Sequence, residues 1–381
     1  MAGIYLHVPF CRSKCGYCAF NSRPPADEAT LPRYLDALKA ELAMRREALA
    51  RLRVDTIYFG GGTPSLLAPD AIGELIALVK THAQALGDEL EITLEANPET
   101  LTATNLAGFM AAGVNRISLG AQSFDAEALA WLERRHAPER TGEAFSLARE
   151  AGYANIGLDL IVGLPHPHDL AYAADLKHAV ELAPEHLSVY LLSAEEPSRL
   201  HTRVEKNEVT LLDEETQADI FLDCHEMLTD AGYEHYEVSN YARPGFRSRH
   251  NSAYWLGDAY LGFGAGAHSY YGLGARPQRW GNADEPDRYG RMLAEGNAPL
   301  AFIEDITATM AMQEKLMLQL RMSEGVDVSE FGPFADALRE KLAAYADSGW
   351  YERDGDRFRP TAAGLLVADG VAADLWDVLS E

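Results

Sequence analysis

Residues 3–18 read GIYLHVPFCRSKCGYC, and their reading decides the fold. Gly3–Val8 is an apolar run rich in β-branched and aromatic residues, the pattern of a buried strand. Three of the four cysteines follow at once, Cys11, Cys15 and Cys18, spaced C-x-x-x-C-x-x-C. A strand that runs straight into potential ligands is a familiar device of parallel α/β architecture, where strand C-termini open onto one binding face.

Working outward, five more short apolar runs repeat the pattern: DTIYFG (55–60), LEITLEA (90–96), RISLGAQ (116–122), NIGLDLIVG (155–163) and HLSVYLL (186–192). Amphipathic stretches such as YLDALKAELAMRREALARL separate them. Strand–helix alternation means βαβ crossovers and a parallel sheet. Six units suit a doubly wound sheet or a barrel, and the pattern alone does not choose. After about residue 205 a helix, the strand-like EHYEVSNYA and a loop rich in Gly, Arg and aromatics run to about 285. Residues 301–381 read as mostly helical with a hairpin at Asp354-Gly355, compatible with a winged-helix-like module. The domains expected are 1–205, 206–300 and 301–381.

Composition narrows the function. Of 381 residues 47% are hydrophobic and 24% charged, ordinary for a globular protein, but 33 basic against 58 acidic residues give a net charge of −25. Such a field repels phosphate backbones, so nucleic acid is not an expected partner. No apolar run reaches the roughly 18–20 residues that span a bilayer, and GIYLHVPF is too short for a signal peptide. A cytoplasmic location follows as an expectation, and there clustered cysteines are metal ligands or redox groups rather than disulfides.

Each strand ends in residues that fill space poorly and bind ligands well. Strand one meets the cysteines, strand two ends in GGGTP (60–64), and strand three ends in Glu95-Ala96-Asn97-Pro98. Strand four ends in Gln122-Ser123, strand five carries Asp159, and strand six ends near Ser193. Three close thiolates suit iron–sulfur chemistry, and in a four-iron cluster they leave one iron free for a small molecule. The remaining Cys224 lies among apolar neighbours in a helix and reads as core. GGGTP is either a tight turn or a place where backbone amides approach a ligand.

The cysteine spacing with IYLHVPFC, YFGGGTP, EANP, SLGAQSF and DLIVGLP resembles, over nearly the whole chain, the radical S-adenosylmethionine family of oxygen-independent coproporphyrinogen III oxidase-like proteins. That family includes a porphyrinogen decarboxylase and the HemW-type haem chaperones. The resemblance implies an incomplete (β/α)6 barrel whose C-terminal domain covers the mouth. It implies a [4Fe–4S] cluster on Cys11, Cys15 and Cys18, with S-adenosylmethionine on the fourth iron. It places Tyr5 near the sulfonium, Tyr17 before the last cysteine, and Gly61, Gly62 and Thr63 at the methionyl end. Glu95, Gln122, Arg134, Asp159 and Ser193 match further cofactor positions, and His268 in GAGAHSY lies close to the nucleoside. Alone, Glu95 reads equally as a helix cap and Arg134 as a solvated helix charge.

Two departures argue against the oxidase. Phe20 stands where that subgroup has an additional cysteine, and the first strand opens at residue 3 without its N-terminal extension. RHNSAYW (249–255) adds an H-N-x-x-Y-W pattern, His250, Asn251, Tyr254 and Trp255, similar to that of the haem chaperones. Histidine is a common axial ligand of haem iron, which makes His250 the candidate, with His268, His7 and the histidines of PHPHD as competitors. Arg243, Arg247 and Arg249 form a local basic patch suited to propionates. The function expected is therefore a haem chaperone. Its partners are haem and haem-accepting proteins, membrane-bound respiratory enzymes among them, with homodimerisation left open. The rival is a radical enzyme acting on a porphyrin-like substrate.

Overall fold

The computed structural model describes residues 2–271 and 277–379; residues 272–276, within the Gly- and Arg-rich loop, lie outside the described residues. The six expected strands are β1 (Ala2–Val8), β2 (Arg53–Gly61), β3 (Ala85–Ala96), β4 (Arg116–Gln122), β5 (Ile156–Val162) and β6 (His186–Leu191). They pair in parallel and in sequence order. Strand β3 begins earlier than its apolar pattern, because Val54 pairs with Leu86 before the register shifts at Thr56.

The alternation of side chains sorts each strand. Ile4, Leu6 and Val8 enter the main apolar core, while Tyr5 and His7, between them, point to the barrel interior. The helices that return the chain are set by local signals. Pro69–His82 starts with proline and carries Asp70 in its first turn and Lys80 and His82 in its last, which complements the helix dipole. Its Ile72, Leu75, Ile76 and Val79 make one buried stripe. Ala103–Ala112 begins with a Thr102/Asn105 capping box.

The barrel stays open. EHYEVSNYA is a hairpin, β7 (Glu234–Glu237) and β8 (Asn240–Ala242), laid antiparallel on β6. At the other edge β9 (Ala259–Phe263) joins β1 in parallel. Strands β10 (His268–Tyr271), β11 (Gln278–Asn282) and β12 (Leu300–Asp305) extend the sheet antiparallel. The order β12-β11-β10-β9-β1-β2-β3-β4-β5-β6-β8-β7 has two ends, so the fold is an incomplete (β/α)6 barrel with extensions.

The C-terminal region is mostly helical, with Ala308–Gln319, Ala335–Asp347 and Ala368–Trp376 packed with a hairpin of Tyr351–Asp354 and Arg357–Pro360. Leu316, Leu338, Leu342, Phe358 and Leu375 form a core of their own. It is tied to the barrel by Val238 N–H donating to Arg321 O at 3.1 Å and Ser323 N–H to Tyr236 O at 3.0 Å. Among the described residues no helix is long and apolar enough to cross a membrane.

Candidate cofactor and ligand site

The strand C-termini surround a cavity of about 620 Å³ whose wall includes Cys11, Cys15 and Cys18 together with Glu95, Gln122, Arg134, Asp159 and Ser193. Leu366, from the C-terminal region, reaches the same wall. The cysteine loop is held by Cys11 N–H donating to Arg23 O at 3.0 Å and Arg23 N–H to Pro9 O at 2.9 Å. Thr63 Oγ1 donates to Cys11 Sγ at 3.4 Å, and Arg134 Nη1 to Cys15 Sγ at 3.7 Å. Burial pushes the Cys11 and Cys18 thiols up, so a positive or metallic partner is needed to hold them as thiolates. Phe20 is 68% exposed at the loop's edge.

GGGTP is a close-packed turn on the cavity wall whose amides are engaged. Gly61 N–H donates to Glu95 Oε2 at 3.0 Å, Gly62 N–H to Val8 O at 2.8 Å, and Thr63 N–H to Phe10 O at 2.8 Å. These amides are used inside the protein. A Cβ on Gly62 would stand 2.7 Å from Phe10 O and 2.8 Å from Phe10 N, so its bare Cα lets the cysteine loop close onto strand β2.

Glu95 is the centre of the upper cavity. It accepts from Tyr58 Oη at 2.8 Å as well as from Gly61, and burial raises its carboxyl to about 7 despite both donors. Tyr5 stands behind the wall instead of on it. Its hydroxyl bonds His7 Nδ1 at 3.0 Å, and Tyr58, whose ring lies 6.1 Å away, takes the cavity position. Gln122 has φ +67°, a left-handed conformation that a non-glycine residue adopts at a cost, at the bulge where β4 slips against β5. Arg134 anchors to Gly120 O at 2.8 Å and keeps a buried Nε without a partner. Asp159 accepts from Ser118 Oγ at 3.1 Å, and Tyr17 packs beside Arg134. Ser193 donates to Glu195 at 3.0 Å at the exposed rim.

The sequence reading missed Tyr58, Arg116, Ser118, Ser188 and Tyr190, all on the wall. The available signal was parity: Arg116 and Ser118 share the inward side of β4 with Gly120, and an arginine inside an apolar strand is rarely filler.

The H-N-x-x-Y-W residues diverge. His250, on the helix Arg249–Trp255, is only 2% exposed, with Nδ1 at 2.7 Å from Thr56 Oγ1 and Nε2 at 3.0 Å from Tyr254 Oη. Its ring stacks on Tyr58, and burial with the nearby Arg116 cation depresses its pKa to about 3. Both nitrogens are engaged in the interior, so His250 does not present the free axial nitrogen expected of it. Glu91 fixes the helix by accepting the N–H groups of Arg249 and His250 at 3.2 and 3.1 Å. Asn251 reaches the cavity, while Trp255 faces the C-terminal region, with Arg321 6.0 Å from its ring centre.

The basic patch is also spent. Arg243 bonds Ala231 O at 2.6 Å, Arg247 pairs with Glu234 and Glu324, and Arg249 bonds Glu89 O. His268 sits on the sheet extension, exposed and edge-on to Phe302 at 5.4 Å, away from the cavity wall. Its sequence neighbourhood looked like a cofactor loop, but strand pairing with β11 turns it outward. Cys224 is core, as expected.

This geometry has relatives. A model described as the radical SAM superfamily matches residues 5–179, and one described as the HemN C-terminal domain matches 306–367. The chain is 37% identical over 375 residues, 98% of its length and 94% of the relative's, to a protein of Mycobacterium tuberculosis named heme chaperone HemW. The chain belongs to the HemW family of radical SAM proteins. The Escherichia coli heme chaperone HemW is 35% identical over 97% of this chain and 96% of its own. The solved E. coli coproporphyrinogen III oxidase (HemN), a radical SAM enzyme, superposes with a TM-score of 0.83 at 25% identity, covering 98% of this chain and 89% of that one.

Membership in this HemW family implies a [4Fe–4S] cluster and S-adenosylmethionine, and the cavity fits both. Three thiols on one loop face it, the orphaned Arg134 Nε is a ready donor, and Glu95 offers an acceptor on the same wall. Among the described residues no three His, Cys, Asp or Glu side chains converge as ligands of one ion. A polynuclear cluster spaces its ligands more widely than a single metal does.

Proposed function

We propose that this protein is a haem chaperone that binds a [4Fe–4S] cluster, S-adenosylmethionine and haem, and delivers haem to acceptor proteins, membrane-bound respiratory enzymes among them. The observation that carries the reading is the single cavity shared by Cys11, Cys15, Cys18 and the strand-end polar groups, in a chain similar over nearly its full length to heme chaperones HemW. Cys11, Cys15 and Cys18 hold the cluster, and Tyr17, Gly61, Gly62, Thr63, Glu95, Gln122, Arg134, Asp159 and Ser193 form the S-adenosylmethionine site, with Tyr5 supporting it from behind. When bound, the pair supplies one-electron chemistry. The protein's part is to orient and shield: Glu95 takes an ammonium group, Arg134 steadies Cys15, and Asp159 takes hydroxyls. Haem is recognised without iron ligation by His250, whose nitrogens serve Thr56 and Tyr254.

A second reading, a radical enzyme acting on a porphyrin-like substrate, is favoured by the cofactor positions that line the cavity, all but Tyr5 and His268. One experiment separates the two. Anaerobically reconstituted protein is offered haem and coproporphyrinogen III separately, then mixed with a haem-free acceptor. Stable haem uptake followed by transfer, with no decarboxylation, is the expected result; appearance of protoporphyrinogen overturns the chaperone.

A further inference from the structure

The cavity continues below the cofactor positions to the barrel floor, where Arg116 closes it. Arg116 lies four residues before Gly120 on β4, so it sits about 13 Å deeper at ~3.3 Å per strand residue. Its side chain is 1% exposed, its Nε has no hydrogen-bond partner, and it lines the cavity. Among the described residues no carboxylate lies within ion-pairing distance of it, although Glu91 and Asp159 act on it through space.

Those carboxylates are committed to neutral donors. Glu91 accepts the backbone N–H groups of Arg249 and His250, Asp159 accepts Ser118 Oγ, and Glu95 accepts Tyr58 and Gly61. None of them bonds the guanidinium directly, which leaves its hydrogens free. An unpaired guanidinium out of water is heavily penalised unless a ligand completes it.

A second buried group stands beside Arg116, behind the cavity wall. A Cβ built on Gly157 would lie 3.4 Å from both Arg116 Nη2 and His186 Nδ1, so the two meet over a residue with no side chain. His186 is fully buried, its Nδ1 has no partner, and its Nε2 lies 2.8 Å from Tyr236 Oη. Tyr236 Oη already accepts Ser248 N–H at 3.3 Å. The arrangement that uses every hydrogen has Tyr236 donating to Nε2, which leaves the proton on Nδ1 as a donor. Thr93 Oγ1, paired in register with Arg116 and also buried, is a third orphan.

We infer that Arg116, with His186 Nδ1 and Thr93 Oγ1 buried behind it, forms an anion subsite on the barrel floor that takes the carboxylate of a ligand reaching down past the cofactor positions. The planar guanidinium fork matches a carboxylate, and the surrounding acidic groups disfavour a dianion such as phosphate. The subsite stands whichever larger ligand fills the space above it, so its failure is separable from that of the chaperone reading.

The test uses the full-length protein with two probes of one shape, 4-bromobenzoate and 4-bromobenzamide. Titration should show the benzoate binding about tenfold tighter, the scale of one charge-assisted hydrogen bond. That preference should shrink to about twofold or less in R116M. The bromine's anomalous signal in soaked crystals should place the benzoate carboxylate against Arg116. Equal affinity for both probes, a bromine peak elsewhere, or an undiminished preference in R116M overturns the subsite. The comparison of probes on the unmodified protein needs no variant, so a misfolded R116M leaves the question answerable.

Discussion

The Tyr58 hydroxyl donates to Glu95 Oε1 at 2.8 Å, and the same ring stacks on His250 with centroids 4.8 Å apart. One tyrosine thus links the acceptor of the upper cavity to the helix Arg249–Trp255. Replacing it with phenylalanine keeps the stack and removes the donor. We expect Y58F to lose about 1–3 kcal/mol of stability above pH 7, from a buried carboxylate left with one donor. Urea denaturation at pH 8 measures it, and an unchanged midpoint would show that the bond contributes nothing.

The pH dependence has a definite sign. Glu95 and Glu237 are both raised by burial to about 7 from 4.5. The folded protein therefore keeps protons that the unfolded chain releases, and stability falls as pH rises from about 4.5 to 7, levelling off beyond. E95Q should remove about half of that decline, E237Q supplying the rest. Denaturation curves between pH 5 and 8 test this, and a slope in E95Q equal to that of the wild type refutes the assignment.

Gly62 sets the distance between the cysteine loop and strand β2. G62A places a methyl against Phe10 backbone atoms at 2.7–2.9 Å, where backbone must move. Cluster incorporation during anaerobic reconstitution should drop sharply while far-ultraviolet circular dichroism stays native. Normal iron content would show that the loop tolerates the shift.

The cysteines should separate cleanly. C15S is expected to abolish the charge-transfer absorption of the reconstituted cluster, because two thiolates on a loop cannot hold it. C224S removes a sulfur from the core and should keep the cluster, at a cost of about 1 kcal/mol. A cluster surviving in C15S would dismiss the cofactor site as drawn.

His250 is a structural group here. H250A opens a cavity beside Tyr58 and strips partners from Thr56 and Tyr254, for an expected loss of about 2–4 kcal/mol. The absorption spectrum of bound haem should stay that of the wild type. A displaced Soret band would mean that the imidazole leaves its pocket to meet the iron.

By itself the sequence determined the six strands, their parallel pairing and many of the polar groups at the strand ends, because short apolar runs and strand-end polar groups are local patterns; the order of the strands came from the structure. It also marked the cysteine loop, whose spacing lies within eight residues. Only the tertiary structure decided what those groups do. The amides of Gly61, Gly62 and Thr63 look free in sequence, yet they bond to Glu95 on β3, to β1 and to the loop after it, some thirty to fifty residues away. The arginines near 245 look like a patch, yet distant carboxylates and carbonyls use them. His250 looks like a ligand, yet Thr56, Tyr58 and Tyr254 enclose it. Arg116 looks like a strand residue, and the closing of six strands around it makes it a buried cation facing a cavity. Hydrogen-bond partners and desolvation are long-range properties, and no one-dimensional spacing encodes them.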